Sequence, residues 1–128
     1  NNFTVTDKNM TRFNITLDHS VKFVLSCLKI MKGGEIFVPK IPSYKILDVL
    51  KAIHQNPKIK FIGIRAGEKL HEELITEGDS INVKEFKDYF VINPSYKVYK
   101  NKNNKIFSYN SQNNKNFLSV KKIKKLIN

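Results

Sequence analysis

Two arginines are the strongest candidates for chemistry in this sequence. Arg12 and Arg65 are the only arginines among 23 basic residues, and all the others are lysines. A guanidinium group presents a planar fork of donors that fits carboxylate or diphosphate oxygens, whereas an ammonium group acts as a point charge. Glu68 follows Arg65 by three residues, across a turn that contains glycine. This pattern predicts a site for a polar anionic ligand, and surface salt bridges are the alternative interpretation.

Other reactive side chains give weaker indications of catalysis. The run His71, Glu72 and Glu73 has the residue types of acid–base chemistry, although an exposed charged face explains it better. Tyr96 and Lys100 have a spacing found in dehydrogenases, which we interpret as chance because the segment is lysine-rich and does not predict a helix. The histidines and the single cysteine lack metal-ligand spacing, and no glycine-rich phosphate loop is present. The sequence therefore predicts a binding site without a reaction centre.

Composition narrows the class of protein. The 128 residues suffice for one domain with a modest core, and the formal charge is +12. The chain also has 15 asparagines, so its lysine excess resembles the product of an AT-rich coding sequence, and we expect no nucleic-acid partner. No apolar run of about 18 residues predicts a membrane span. Cys27 falls on the apolar face of a predicted helix, which favours a buried structural thiol.

Hydrophobic periodicity predicts an α/β organisation, because strands and helices alternate in the first half of the chain. Ser43 and Ser119 are the expected N-caps of the second and last helices. Ile123, Leu126 and Ile127 are expected to face inward from the last helix. Strands are predicted at residues 3–7, 35–38, 59–64 and 88–92, and helices at 17–32, from Ser43 to before Pro57, and at 120–127.

These elements would position the candidate site. Residues 59–64 predict a buried strand that ends directly before Arg65, and Arg12 lies at another element boundary. Residues 70–75 are ambiguous between a helical turn and a strand. We interpret residues 1–95 as the binding portion, and residues 96–128 as a polar, mobile loop over 96–116 followed by a short helix of the same domain. The chain opens directly on a strand, so we expect a piece of a longer polypeptide.

Several short segments carry a family resemblance. They are Met-Thr-Arg-Phe at 10–13, Gly-Gly-Glu-Ile-Phe-Val-Pro-Lys-Ile-Pro-Ser at 33–43, Ile-Gly-Ile-Arg-Ala-Gly-Glu-Lys-Leu-His-Glu at 62–72 and Phe-Lys-Asp-Tyr-Phe at 86–90, with Phe-Ser-Tyr-Asn-Ser at 107–111. Together they resemble the C-terminal part of the inverting UDP-N-acetylglucosamine 4,6-dehydratases. These enzymes belong to the extended short-chain dehydrogenase/reductase superfamily and act in polysaccharide and nonulosonic-acid biosynthesis.

The resemblance implies a fold and a site. The chain would be the α/β substrate-binding portion, without the Rossmann domain, which binds NADP and carries the catalytic residues. Arg12, Arg65 and Glu68 would contact the UDP group of UDP-N-acetylglucosamine or a related UDP-sugar. Glu68 would either accept from ribose hydroxyls or hold an arginine in place. The chain itself would bind no cofactor and no metal.

The resemblance also implies an activity for the complete protein. It would oxidise C4 of the sugar, remove water across C5 and C6, and return hydride to C6 with inversion at C5. The complete enzyme would be a cytoplasmic homo-oligomer with no membrane partner, and the fragment alone would be inactive. A related UDP-sugar 4-epimerase and a non-catalytic sugar-nucleotide binding module are the alternatives.

Overall fold

The computed structural model describes residues 2–95 and 106–127. The chain divides into two compact units, the first within 1–14, 42–72 and 110–128, and the second within 15–41 and 73–109. The elements in chain order are β1 Asn2–Val5, β2 Thr11–Phe13, α1 Leu17–Ile30, β3 Ile36–Pro39, β4 Ser43–Lys45, α2 Ile46–Ile53, β5 Lys58–Phe61, β6 Glu73–Ile75, α3 Glu77–Ser80, β7 Val83–Glu85, β8 Tyr89–Ile92, β9 Tyr109–Asn110 and α4 Val120–Ile127. None of the helices in these ranges has the length and hydrophobicity needed to cross a membrane.

The first unit is built from two strand pairs and two helices. β1 runs parallel to β5, and β2 runs antiparallel to β4. α2 packs against α4, where Ala52 and Ile123 are buried. Val5 and Met10 add apolar side chains to the same core, and Thr11, Ser43 and Ser111 are buried polar residues. The hydroxyl groups of those three residues are all hydrogen-bonded, which lowers the cost of burying them.

The second unit is built on a three-stranded antiparallel sheet in the order β3-β8-β7. Its core contains Val38, Val83, Phe90, Val91 and Tyr109. The Tyr109 hydroxyl accepts from the Ile41 amide at 3.1 Å and donates to the Ile41 carbonyl at 3.0 Å. Burial raises the pKa of Tyr109. A buried phenol with both hydrogen-bonding functions used is a specific tie between two distant segments of this unit.

Helix α1 begins at Leu17 as the sequence predicts and ends at Ile30, two residues before the predicted end, and its apolar face is exposed. Thr16 is the N-cap and accepts from the His19 amide at 3.3 Å. Gly33 and Gly34 have φ of 110° and 83°, values that favour glycine, and they follow the end of the helix. No residue of α1 is buried, and Leu17 is 79% exposed. Cys27 is half-buried, and desolvation raises the pKa of its thiol.

Three local predictions were wrong. Ser43 does not cap α2; it lies in β4, and the N-cap of α2 is Lys45, without a side-chain hydrogen bond. Leu126 and Ile127 are exposed, and only Ile123 of that trio is buried. The loop predicted over 96–116 is not without structure in its described part, 106–116, which contains β9 and the buried Ser111. Its remaining residues, 96–105, and the pair Tyr96 and Lys100 lie outside the described residues.

Candidate functional site

Arg12 is anchored by its own strand and by the segment before His71. Its Nη1 donates to the Thr11 carbonyl at 2.7 Å and to the Leu70 carbonyl at 3.2 Å. The antiparallel pairing of β2 with β4 places Arg12 opposite Tyr44. Its side chain is only 19% exposed. One edge of the guanidinium is therefore fixed by backbone carbonyls, so the other edge has a defined direction.

That other edge faces two carboxylates. Arg12 Nη2 lies 3.9 Å from Glu68 Oε1, and Nε lies 3.8 Å from Glu72 Oε1. These separations are ion-pair distances and exceed the roughly 2.7–3.2 Å of an N–H···O hydrogen bond. In the described part of the chain Nε and Nη2 donate no hydrogen bond, so both keep donor capacity for a ligand oxygen that approaches from outside the two ion pairs.

Glu72 is held in place by side-chain and backbone contacts. Its Oε2 accepts from the Phe13 amide at 2.6 Å, a charge-assisted hydrogen bond. Its amide donates to Ser111 Oγ at 2.9 Å, and its carbonyl accepts from the Ser111 amide at 2.7 Å. The interpretation of His71, Glu72 and Glu73 as an exposed charged face is therefore wrong for His71, which is half-buried, whereas the Glu72 side chain is 44% exposed. No local pattern could reveal this role, because the side-chain partner of Glu72 is 59 residues away.

Glu68 lies in a turn with Arg65, and its side chain faces Arg12. Its amide donates to the Arg65 carbonyl at 3.0 Å, and its Oε2 accepts from the Arg65 amide at 3.3 Å. Gly67 has a φ of 79°, a value that favours glycine. Glu68 Oε1 also accepts from Thr6 Oγ1 at 3.4 Å. Glu68 thus joins the backbone of Arg65 to the guanidinium of Arg12.

Arg65 itself is exposed, and the prediction that it ends a buried strand was wrong. Strand β5 stops at Phe61, four residues earlier, and Phe61, Ile62 and Ile64 are 51%, 44% and 47% exposed. β5 pairs with β1 in a two-stranded sheet, which leaves its apolar side chains open. In the described part of the chain the Arg65 guanidinium makes no ion pair. The structure therefore brings Arg12, Glu68 and the backbone of Arg65 together, with the Arg65 side chain in solvent.

Tyr44 adds a neutral phenol beside the charged groups. Its pKa is raised, first by burial and then by the negative charge of Glu72, while the Arg12 charge acts in the opposite direction. Tyr44 is therefore protonated at neutral pH and can donate a hydrogen bond. Sequence reasoning missed this residue, because only the pairing of β2 with β4 shows that it is opposite Arg12.

The described residues do not fit a nicotinamide dinucleotide. Such a site needs a glycine-rich turn between a parallel strand and a helix that points its N-terminus at the pyrophosphate. Here Gly33 and Gly34 lie between α1 and β3, and Gly63 and Gly67 lie after β5 without a following helix. Within residues 2–95 and 106–127, no group of three or more histidine, cysteine, aspartate or glutamate residues could hold a metal ion.

The fold defines the class of protein. The mixed α/β chain is a portion of an extended short-chain dehydrogenase/reductase, as its sequence predicted. The family model described as polysaccharide biosynthesis protein matches residues 1–94, and the chain belongs to that family.

Similar proteins agree with this assignment. The inverting UDP-N-acetylglucosamine 4,6-dehydratase of Campylobacter jejuni is 46% identical over 97% of the chain, which confirms the resemblance. An uncharacterised membrane protein of Methanocaldococcus jannaschii is 45% identical over 97% of the chain, and a UDP-glucose 4-epimerase of Rickettsia canadensis is 38% identical over 70%. The X-ray structure of Pen from Bacillus thuringiensis superposes with a TM-score of 0.79 at 34% identity and covers 98% of the chain. The chain spans 41%, 40%, 27% and 39% of these four proteins, respectively.

Proposed function

We propose that the chain is the UDP-sugar-binding part of an NADP-dependent, 5-inverting UDP-N-acetylglucosamine 4,6-dehydratase in surface polysaccharide or nonulosonic-acid biosynthesis. One observation carries the proposal: the Arg12 guanidinium is fixed on two backbone carbonyls and turns its other edge toward Glu68 and Glu72. The name and 46% identity of the Campylobacter jejuni relative support the choice of substrate.

Charge determines how these residues would share the ligand. Arg12 with Glu68 and Glu72 carries a local charge of −1, so Arg12 alone would not neutralise a diphosphate. Arg65 brings the charge of this group to zero, and we assign the direct contacts with the diphosphate oxygens to Arg12 and Arg65 together, with the exposed Arg65 side chain reaching the ligand from its solvent side. The Glu68 carboxylate would then accept from the hydroxyl groups of ribose. A nucleoside diphosphate sugar carries both the anion and the hydroxyl groups that this arrangement needs.

The remaining parts of the enzyme are also proposals. The lengths of the relatives leave room for a further domain, to which we assign NADP and the groups that react with the sugar. In that arrangement the residues of this chain bind and orient the substrate, and they take no part in bond breaking. We further propose a cytoplasmic homo-oligomer.

The test is product analysis with the full-length protein. UDP-N-acetylglucosamine should lose one water and give a 6-deoxy-4-keto sugar nucleotide inverted at C5, detected by mass spectrometry and NMR. A product that differs from the substrate only at C4 would overturn the proposal in favour of a 4-epimerase. UDP binding without any conversion would overturn it in favour of a binding module.

A further inference from the structure

A cavity lies on the face of the β2–β4 pair opposite to Arg12. Successive side chains of a strand point to opposite faces, and directly paired residues share a face. Thr11 pairs with Lys45 and Arg12 pairs with Tyr44, so Thr11 and Lys45 share the other side of this pair. The cavity there has a volume of ≈ 670 Å³. That volume lies within the range of roughly 300–1,000 Å³ that small-molecule sites occupy.

The charged groups around this cavity favour an anion. Lys8 and Lys45 line it, together with the carboxylate of Asp48. The Asp48 carboxylate is 3.8 Å from Lys51 Nζ, which offsets part of its charge. Lys8, Lys45 and Asp48 by themselves give the lining a net charge of +1. Phe117 supplies an apolar wall.

His71 gives the cavity a fixed polar group. Its Nδ1 is 2.7 Å from Thr11 Oγ1, and Thr11 Oγ1 is 2.7 Å from Ser111 Oγ. Ser111 is completely buried, and its Oγ also accepts from the Glu72 amide. This chain of hydrogen bonds fixes the imidazole ring. Its Nε2 has no hydrogen bond to any residue that the structure describes, so it can contact a ligand.

We propose that this cavity binds a small phosphate monoester, with Lys8 and Lys45 supplying charge and His71 Nε2 a directed hydrogen bond. The inference goes beyond the UDP-sugar site, which uses the opposite face of the same strands. It does not depend on that assignment, since in the described part of the chain none of these three residues has a hydrogen bond or ion pair with Arg12. Only the backbone carbonyls of Thr11 and Leu70 in the lining accept from it. Two ammonium groups beside an imidazole fit a compact dianion, and Phe117 fits the organic part of an ester.

The experiment is a calorimetric titration of the full-length protein with inorganic phosphate, with saturating UDP present to fill any site at Arg12. Saturable binding is expected, and Lys45→Ala should weaken it about tenfold, the effect of one lost charge-assisted contact. Lys60→Ala, which removes an exposed lysine outside the cavity, is the matched control and should leave the affinity unchanged. A second titration with glycerol 3-phosphate should give tighter binding than phosphate.

A second readout places the ligand at His71. Phosphate should shift the imidazole NMR signals of His71 and leave those of His19, which lies in the second unit. Absence of saturable binding would overturn the proposal, as would equal weakening by Lys45→Ala and Lys60→Ala. Failure of UDP to bind would count against the proposed function alone. The phosphate site would still be tested, because Arg12→Lys disables any site at Arg12 and should leave phosphate binding intact.

Discussion

Replacing Arg12 by lysine separates the charge of this residue from its geometry. The guanidinium donates to two carbonyls with one nitrogen and directs Nε and Nη2 toward the ligand side. A lysine ammonium cannot occupy both positions, so at least one charge-assisted contact is lost. Such a contact is worth about 1.5–3 kcal/mol, which corresponds to roughly ten- to a hundredfold weaker UDP binding. The variant should also unfold about 1–2 kcal/mol more easily, since one carbonyl loses its donor.

Calorimetry with UDP and urea unfolding of the full-length protein measure the two effects separately. Lys60→Ala serves as the control, because it removes a positive charge from an exposed position of the same unit. If Arg12→Lys lowers the free energy of unfolding while UDP binds with unchanged affinity, Arg12 is only a structural tie. The site assignment would then be wrong.

Four further outcomes are expected. Arg65→Lys should weaken UDP binding about tenfold by calorimetry, yet leave the free energy of unfolding within about 0.5 kcal/mol, because the side chain is exposed; unchanged affinity would remove Arg65 from the site. Glu72→Ala should lower the free energy of unfolding in urea by about 1–3 kcal/mol, because the Phe13 amide loses its acceptor. Glu72→Gln should lower it less, because its side-chain oxygen still accepts, and equal losses in the two variants would contradict this. Ile123→Ala should cost about 2–5 kcal/mol, whereas Leu126→Ala, at an exposed position, should cost far less in the same assay. Tyr109 has a raised pKa when folded, so its contribution to stability is present below its ordinary pKa of about 10 and is lost as pH rises through the folded value. Tyr109→Phe should therefore flatten the fall in urea midpoint as pH rises above about 10.

The sequence predicted the elements with strong local signals. The pattern of α1 and its glycine stop, the short helix at α2 and the strand at β8 are visible in runs of apolar residues and in the glycines and prolines that bound them. The short elements β2, β4, β7, β9 and α3 were missed, because two to four residues carry too little periodicity to identify them. Ser43 looked like a cap because serine favours that position, but its burial in β4 depends on residues far along the chain.

The candidate site was predictable only in part. The composition singled out Arg12 and Arg65, and the spacing of Arg65 and Glu68 correctly indicated a turn. Long-range contacts decided the rest. A hydrogen bond from the Phe13 amide holds the Glu72 carboxylate beside Arg12. The pairing of β2 with β4 brings Tyr44 opposite Arg12. Burial of residues 59–64 was predicted from their apolar character, yet hydrophobicity alone does not specify what covers a strand.

The exposed apolar face of α1 bears on how copies of the isolated 128-residue chain would meet in solution. Val24, Leu25 and Leu28 are 55%, 55% and 60% exposed on one helix, while the whole chain carries a charge of +12. Repulsion between like-charged copies keeps these faces apart when little salt is present. Screening shortens the reach of that repulsion to about 10 Å at 0.1 M salt, and the attraction between apolar faces then dominates. We therefore expect moderate salt to promote self-association of the isolated chain and low ionic strength to keep it monomeric.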